Sequence, residues 1–250
     1  MVTNQDKTVI ITGVSRGIGN HLTKRFLKEG FKVIGISRSE ADIKDPKFQH
    51  IKMDISNLEG ISSIVDKIPM GSLYGIINNA GTHGPLGPFE KNDIKKWVET
   101  FYVNLFGSAT LTQMCIPALR KNKGFIIFLS GGGSGFVKPN FSAYSVSKTA
   151  VVRLAENLGK ELYPDVLVYC VAPGSNRTAL LEAAIKAGDN VKEEDIVDFE
   201  KPENLCLFLA KNRNPKYSGK FIHVVDKYEN WGDEELSEDM YKLRRTKVVK

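Results

Sequence analysis

The chain has 250 residues, 42% of them apolar and 26% charged, which suits a single large α/β domain and excludes a disordered or fibrous protein. Its formal net charge of +6 arises at the chain end: the last nine residues hold five Lys or Arg and no acid, so residues 1–241 carry 30 basic and 29 acidic groups. We therefore expect a solvated basic tail, and no nucleic-acid partner.

No apolar run approaches the ~20 residues that cross a bilayer. The first residues, MVTNQDKTVIITG, pass directly into a strand pattern rather than into the apolar core of a signal peptide. Cys115, Cys170 and Cys206 lie far apart in apolar stretches, without metal-ligand spacing. The sequence therefore predicts a cytoplasmic protein with buried reduced thiols, no membrane partner and no metal site.

Six short apolar runs, rich in β-branched residues, are typical of buried strands. They are TVIIT (8–12), KVIGIS (32–37), LYGIIN (73–78), GFIIFLS (124–130), VLVYCVA (166–172) and KFIHVV (220–225). Helical patterns lie between them, for example over 17–30, where Gly30 ends the pattern, and over 143–162. This alternation predicts a single doubly wound Rossmann-type α/β domain, with a parallel sheet flanked by helices.

Two segments break the alternation. Residues 175–201 are charged and helical in places, and we interpret them as a lid or substrate loop. Near the end we divide the chain into a main α/β domain over 1–231 and a basic extension over 232–250, with a short helix around 234–244. We expect Trp231, Met240 and Tyr241 to pack over the substrate pocket, on a partner subunit, or on the surface without a function.

The first strand is followed by the glycine-rich stretch ITGVSRGIGN, which opens a helix. A dinucleotide site requires this context, since glycines let the backbone turn sharply and approach a pyrophosphate at the helix N-terminus. The spacing is Gly13-x-x-x-Gly17-x-Gly19, and Ser15 and Ile18 within the same turn belong to the predicted cofactor site. The alternative is an ordinary glycine-rich turn with no ligand.

The end of the second strand bears on the type of cofactor. An acid there would bind the ribose 2′-hydroxyl of NAD, whereas an arginine suits the 2′-phosphate of NADP. Arg38 stands at this position, and Arg16 lies inside the glycine turn. Because two guanidinium groups can hold a phosphate through charge-assisted hydrogen bonds, the sequence predicts NADP(H). The alternative is a pair of solvated surface arginines.

These motifs, taken together with Tyr144-x-x-x-Lys148, resemble the short-chain dehydrogenase/reductase family in its short single-domain form. The matching pieces occur in the family's order: TGVSRGIG (12–19), Asp54 in MDIS, NNAG (78–81), Asn104 in YVNLFG, Tyr144-x-x-x-Lys148 and APGSNRT (172–178). The resemblance covers residues 7 to about 226. It implies an oxidoreductase that transfers hydride between a nicotinamide cofactor and a small carbonyl or alcohol substrate.

The resemblance also implies a role for each matching residue. Those expected to bind the cofactor are Asp54 on the adenine ring, Asn79 and Gly81 beside the adenosine ribose, Pro173 and Gly174 over the nicotinamide, and Thr178 on its carboxamide. Asn104 would anchor a water of a proton relay. As alternatives, Asp54 is a helix cap and NNAG is only a turn. The family's helices around 99–121 and 142–163 imply a homodimer or homotetramer.

Tyr144 and Lys148 are four residues apart on a predicted helix and so share one face. A tyrosine hydroxyl can donate a proton to a carbonyl oxygen, and a nearby ammonium favours the phenolate that results. The resemblance adds a bond from Lys148 to the nicotinamide ribose. On this basis we predict Tyr144 as the acid and Lys148 as its partner.

The chain departs from the family at the serine that holds the substrate oxygen, thirteen residues before the tyrosine. Gly131 occupies that position, followed by two more glycines. We favour Ser130 as the replacement donor, with Ser134, a backbone N–H of the glycine run, or a bound water as alternatives. His83, in the loop after NNAG, is expected to be structural or solvated.

Two other functions stay open. One is a catalytically idle NADP(H)-binding sensor or scaffold, suggested by Gly131 and the long tail. The other is a sugar-nucleotide-modifying enzyme, which shares Tyr-x-x-x-Lys but is disfavoured by the short chain and the glycine spacing.

Overall fold

The computed structural model describes residues 6–233 and 235–244. Its centre is a parallel sheet built from β1 (Thr8–Thr12), β2 (Lys32–Ser37), β3 (Phe48–Lys52), β4 (Leu73–Asn78), β5 (Phe125–Leu129), β6 (Leu167–Ala172) and β7 (Phe221–His223). The strands lie in the order β3-β2-β1-β4-β5-β6-β7. Because the direction of winding reverses between β1 and β4, a ligand crevice is expected beyond the carboxyl ends of these strands.

Helices cover both faces of the sheet. The described α-helices are α1 (Gly17–Lys28), α2 (Leu58–Val65), α3 (Ile94–Phe101), α4 (Gly107–Lys121), α5 (Ser142–Glu161), α6 (Ala179–Lys186) and α7 (Glu200–Lys211). A π-helical segment, Tyr102–Phe106, joins α3 to α4, so residues 94–121 are helical throughout. Segments of this kind are rare and occur often at functional sites.

Side chains of the strands alternate between two cores. Val9 and Ile11 of β1 pack in the core that includes side chains of α1 and α7, whereas Ile10 packs in the core that includes α2, α4 and α5. Since both faces of the sheet are buried around its inner strands, these strands are apolar along most of their length. The predicted doubly wound Rossmann-type fold is confirmed.

The structure differs from the predicted elements at the sheet edges and near the chain end. Strand β3 was not predicted, because it is an edge strand in which only Ile51 is buried. Strand β7 covers three residues rather than the predicted six. Residues 235–244, the described part of the extension, contain turns but no helix, so the helix predicted around 234–244 is wrong for that part.

The described part of the extension packs against the body of the protein. The main-chain N–H of Phe221 donates to the carbonyl of Tyr241 at 2.7 Å, and that of Leu243 donates to the Glu156 carboxylate at 2.6 Å. The Trp231 and Tyr241 rings lie 3.9 Å apart. The boundary after residue 231 stays a prediction.

Three further properties concern the described residues as a whole. Every helix among them is too short or too polar to span a bilayer. The cysteines Cys115, Cys170 and Cys206 are buried, as predicted, and are free thiols. In the same ranges, no three His, Cys, Asp or Glu side chains cluster closely enough to hold a metal ion.

Candidate active site

Most of the predicted site residues line a single cleft. All the predicted site residues line it except Gly19 and Asn104, which lie just behind its wall. The glycine turn reaches across to the segment after β6, because a β-carbon placed on Gly17 would lie 3.1 Å from the Thr178 methyl group. On the other side, a β-carbon on Gly81 would lie 3.4 Å from the Lys148 amine. The structure therefore brings the cofactor motifs and the Tyr144–Lys148 pair together.

The turn between β1 and α1 and the start of α1 leave no room for a side chain at Gly13 and Gly19. Gly13 has a φ of 75°, in the left-handed region that favours glycine. A β-carbon on Gly19 would lie 2.2 Å from the carbonyl oxygen of Gly13. The Asn79 amide holds the turn by donating to the carbonyls of Thr12, at 2.8 Å, and Gly13, at 3.2 Å. This cradle would accept a pyrophosphate at the N-terminus of α1.

Thr12 is a positioning residue that the sequence analysis did not identify. Its hydroxyl oxygen accepts hydrogen bonds from the main-chain N–H groups of Asn79 and Ala80, at 3.1 and 3.0 Å. The hydroxyl therefore ties the end of β1 to the NNAG motif at the end of β4. A polar residue closing an otherwise apolar strand was the available indication in the sequence.

The predicted 2′-phosphate site lies at the cleft mouth. Arg16 and Arg38 are both exposed and line the cleft. Arg38 Nη1 lies 3.7 Å from Asp54 Oδ2. Burial raises the pKa of Asp54, but hydrogen bonds from Ser56 and the Arg38 charge outweigh it, so the net shift of the pKa is downward. Asp54 is consequently a carboxylate at neutral pH.

Tyr144 and Lys148 lie one turn apart on α5, and both are buried. Burial raises the pKa of Tyr144 to about 12 and lowers the pKa of Lys148 to about 8. The Lys148 amine donates to the Leu129 carbonyl at 2.7 Å. At neutral pH the phenol is therefore protonated and able to act as an acid, beside a lysine that is mostly an ammonium ion.

Asn104 lies in the π-helical segment behind the cleft. Its amide oxygen accepts from the Thr82 N–H at 2.8 Å, and its amide nitrogen donates at 2.9 Å to both the Thr82 carbonyl and the Ser147 hydroxyl. Asn104 thus fixes the chain that follows NNAG and connects it to α5. Ser147, which is fully buried, is a second positioning residue absent from the sequence prediction. The water-anchoring role of Asn104 stays a prediction.

Gly131 lies directly against the Tyr144 hydroxyl. A β-carbon on Gly131 would be 2.1 Å from the hydroxyl oxygen and 2.9 Å from the ring carbon that carries it. The space of a side chain at this position is therefore filled by Tyr144. A serine there would require the tyrosine to move.

The hydroxyl groups of the neighbouring Ser130 and Ser134 donate hydrogen bonds to other groups of the chain. The Ser130 hydroxyl donates to the Ser134 hydroxyl at 2.9 Å, and the Ser134 hydroxyl donates to the Gly131 carbonyl at 2.6 Å. Since a hydroxyl has one hydrogen to donate, neither serine keeps one for a substrate in this arrangement. Ser130 as the substrate-oxygen donor stays a prediction that this geometry does not favour.

His83 is enclosed beside the reactive tyrosine rather than solvated. Its ring packs edge-to-face against Tyr144, with 4.7 Å between ring centres, and against Phe141 at 5.6 Å. Burial and the charge of Lys138 lower the pKa of His83 to about 4. The ring lines the cleft in its neutral form. No sequence pattern indicated this placement, because it depends on the packing of the NNAG loop against α5.

The sheet topology and the Tyr144–Lys148 cleft define a class of oxidoreductase, and comparison with known proteins identifies the family. The model of the family described as short chain dehydrogenase matches residues 7–188. The chain belongs to the short-chain dehydrogenase/reductase family, as the sequence predicted.

Individual relatives agree with this assignment. An uncharacterized oxidoreductase of Schizosaccharomyces pombe is 34% identical over 246 residues, covering 89% of this chain and 98% of the relative. A benzil reductase ((S)-benzoin forming) of Saccharomyces cerevisiae is 35% identical over 188 residues, covering 67% of this chain and 71% of the relative. The crystal structure of a 3-ketoacyl-(acyl-carrier-protein) reductase from Brucella melitensis, complexed with NADH, has a similar fold: the TM-score is 0.81 at 24% identity, covering 89% of this chain and 98% of that chain.

Proposed function

We propose that this protein is an NADPH-dependent reductase of small carbonyl compounds, or in reverse an alcohol dehydrogenase. The observation that carries the proposal is the position of the protonated Tyr144 hydroxyl in the same cleft as the glycine turn, with Lys148 one helical turn away. A proton donor and a cradle for a dinucleotide are the two parts that carbonyl reduction needs from a protein.

In the proposed reduction, separate residues donate the proton, stabilise the phenolate and hold the site in position. Tyr144 donates its proton to the carbonyl oxygen as negative charge develops there, and the ammonium form of Lys148 stabilises the phenolate that remains. Asn104 and Ser147 hold the loop and helix in register through their hydrogen bonds. The nicotinamide supplies the hydride when it is bound. In alcohol oxidation the same tyrosine takes the proton back.

The residues around the glycine turn fit a dinucleotide. Gly13, Gly17 and Gly19 leave room for a pyrophosphate, and Ser15 and Ile18 would lie along it. Asp54, Asn79, Gly81, Pro173, Gly174 and Thr178 would hold the adenosine and nicotinamide ends, as predicted from the family pattern. Arg16 and Arg38 favour NADP(H) over NAD(H), because each can bond a 2′-phosphate.

An apolar or aromatic carbonyl compound is the substrate class that the cleft favours. Leu86 and Phe141 line it and pack in one apolar cluster with Tyr144, and the exposed Phe136 also lines the cleft. A yeast relative is a benzil reductase, which supports the same class. Three probes cover it: benzil, 4-nitrobenzaldehyde and cyclohexanone.

The test is to incubate the purified protein with NADPH and each probe, and to follow the loss of reduced-nicotinamide absorbance. We expect turnover of at least one probe with NADPH, and slower turnover with NADH. Binding of NADPH without turnover of any probe would contradict the proposal and favour the idle NADP(H)-binding sensor, for which Gly131 is the supporting observation. No binding of either cofactor would contradict both.

A homodimer or homotetramer is part of the proposal. Ile94, Val98, Tyr102 and Phe106 follow one another at four-residue spacing on the helical stretch 94–121, and each is at least 40% exposed. An apolar stripe of this length favours a helix-to-helix contact with a second copy. Sedimentation measurements report the assembly size directly. A cytoplasmic location is also proposed, because buried free thiols suit a reducing compartment.

A further inference from the structure

The substrate carbonyl oxygen has one identified hydrogen-bond donor, whereas a second donor would be expected to stabilise the negative charge that forms on it. Negative charge develops on this oxygen, and removal of one donor from comparable sites in other enzymes lowers the rate by ~10²–10³. Tyr144 is the first donor under the proposed function, on which this inference rests. The usual second donor is absent, because Gly131 has no side chain and the Ser130 and Ser134 hydroxyls donate within the chain.

One polar group beside Tyr144 has no hydrogen bond to account for its burial. His83 is only 9% exposed, and its Nδ1 atom is enclosed without a partner among residues 6–233 and 235–244. Because Nδ1 is enclosed, a substrate can reach only the other ring nitrogen, Nε2, which has no hydrogen-bond partner in the same ranges and is not enclosed. The ring contacts Tyr144 at 4.7 Å between centres and lines the cleft that would receive the substrate.

We propose that His83 is the second hydrogen-bond donor to the substrate carbonyl oxygen, in place of the serine that this chain lacks. The neutral imidazole carries one N–H, which lies on Nε2 in the tautomer that can donate to the substrate, and a neutral ring is an effective donor to an oxyanion in other enzymes. Its edge-to-face contacts with Tyr144 and Phe141 fix the ring plane, so the donor is held in position before the substrate binds. Preorganisation of this kind is what makes such donors effective.

The glycine run offers the strongest rival. The structure gives the main-chain N–H groups of Gly131, Gly132 and Gly133 no hydrogen-bond partner within the described ranges, and Gly131 lies against the Tyr144 hydroxyl. A backbone donor there would be unaffected by any change at His83. Substitution of the histidine therefore separates the two assignments.

The experiment compares His83→Phe, which keeps the ring packing and removes the donor, with His83→Gln, which keeps a donor and loses the ring. Val137→Ala is the matched control, since Val137 lines the same cleft and is exposed. Each protein is assayed on the fastest of benzil, 4-nitrobenzaldehyde and cyclohexanone, with Tyr144→Phe in parallel. NADPH affinity, measured by fluorescence titration, reports whether each variant is folded and binds cofactor.

We expect His83→Phe to lower kcat by ~10²-fold with unchanged NADPH affinity, and His83→Gln to recover at least tenfold of that loss. Val137→Ala should leave kcat within about threefold. A His83→Phe kcat within about threefold of the parent, or a loss confined to KM, would overturn the inference and transfer the role to the glycine N–H groups. His83→Gln no faster than His83→Phe would also overturn it, because packing would then explain the loss. If the parent reduces none of the probes, the proposed function fails instead.

Discussion

Two glycine-rich segments line the same cleft, and they need glycine for different reasons. At residues 13–19 the limit is the backbone: a β-carbon on Gly19 would lie 2.2 Å from a carbonyl oxygen six residues earlier in the chain. At Gly131 the limit is a side chain, because a β-carbon there would lie 2.1 Å from the Tyr144 hydroxyl. The first segment belongs to the cofactor side of the cleft and the second to the substrate side. Changes on one side should leave the function of the other intact.

Tyr144→Phe is expected to give the largest effect. Removal of the hydroxyl abolishes proton donation but keeps a ring that packs against His83, so turnover should fall by ~10² or more while NADPH affinity changes little. Steady-state rates and a fluorescence titration with NADPH measure the two quantities. Turnover near that of the parent would rule out the mechanism, and a large loss of NADPH affinity would break the separation between the two sides.

Arg38→Asp tests the cofactor side alone. In the parent, Arg16 and Arg38 should each bond the 2′-phosphate, so NADPH should bind more tightly than NADH by ~2–4 kcal/mol. In the variant an acid faces the phosphate, and the preference should shrink or reverse. Dissociation constants for both cofactors check this. Equal constants in the parent protein would contradict the assignment of these arginines.

Gly131→Ala sharpens the contrast between the two glycine segments. The added methyl group would clash with the buried Tyr144 side chain. Because such overpacking costs ~1–3 kcal/mol, the change should lower the free energy of unfolding by about that amount in the parent. The loss should be smaller in a Tyr144→Phe background, where the clashing hydroxyl is gone. Gly19→Ala is the matched control, since its clashes are with the Gly13 carbonyl and the Asn79 amide rather than with Tyr144, and should be the same in both backgrounds. Denaturant unfolding of the four combinations measures the coupling.

Ser130→Ala and Ser134→Ala are expected to give the smallest effects. Both hydroxyl protons are directed within the chain, so kcat/KM should stay within about threefold of the parent for either variant. Assays on one accepted carbonyl probe measure this. A loss of ~10² in one of the two would show that its hydroxyl turns towards the substrate and would restore the donor role to that serine.

The cofactor side could be predicted from the sequence because its requirements are local. Gly13 and Gly19 are imposed by the backbone turn itself, and Arg38 is placed by the end of an apolar strand. The apolar runs that became β1, β2 and β4 were predicted to the residue, since strands buried on both faces carry a continuous pattern. Strand β3 was missed because an edge strand with one buried residue has no such pattern.

The substrate side depends on contacts between distant segments. His83 is beside Tyr144 because the loop after β4 packs on α5, and 61 positions separate the two residues in the sequence. The same holds for Gly131. The sequence shows that it has no side chain, but only the structure shows that the Tyr144 hydroxyl fills the space a side chain would need. Sequence spacing predicted Ser130 as the nearest donor, whereas the hydroxyl directions that disfavour it follow from tertiary hydrogen bonds.

The packing of the extension along β7 has a consequence for how the protein behaves in concentrated solution. An uncovered sheet edge can recruit strands from other molecules and so seed aggregation. Here the Tyr241 carbonyl takes up the N–H of Phe221 in the edge strand, and the buried Lys220 amine binds the carbonyls of Ser237, Glu238 and Met240. The chain thus shields one border of its own sheet, and an intruding strand would first have to displace the segment that contains Tyr241.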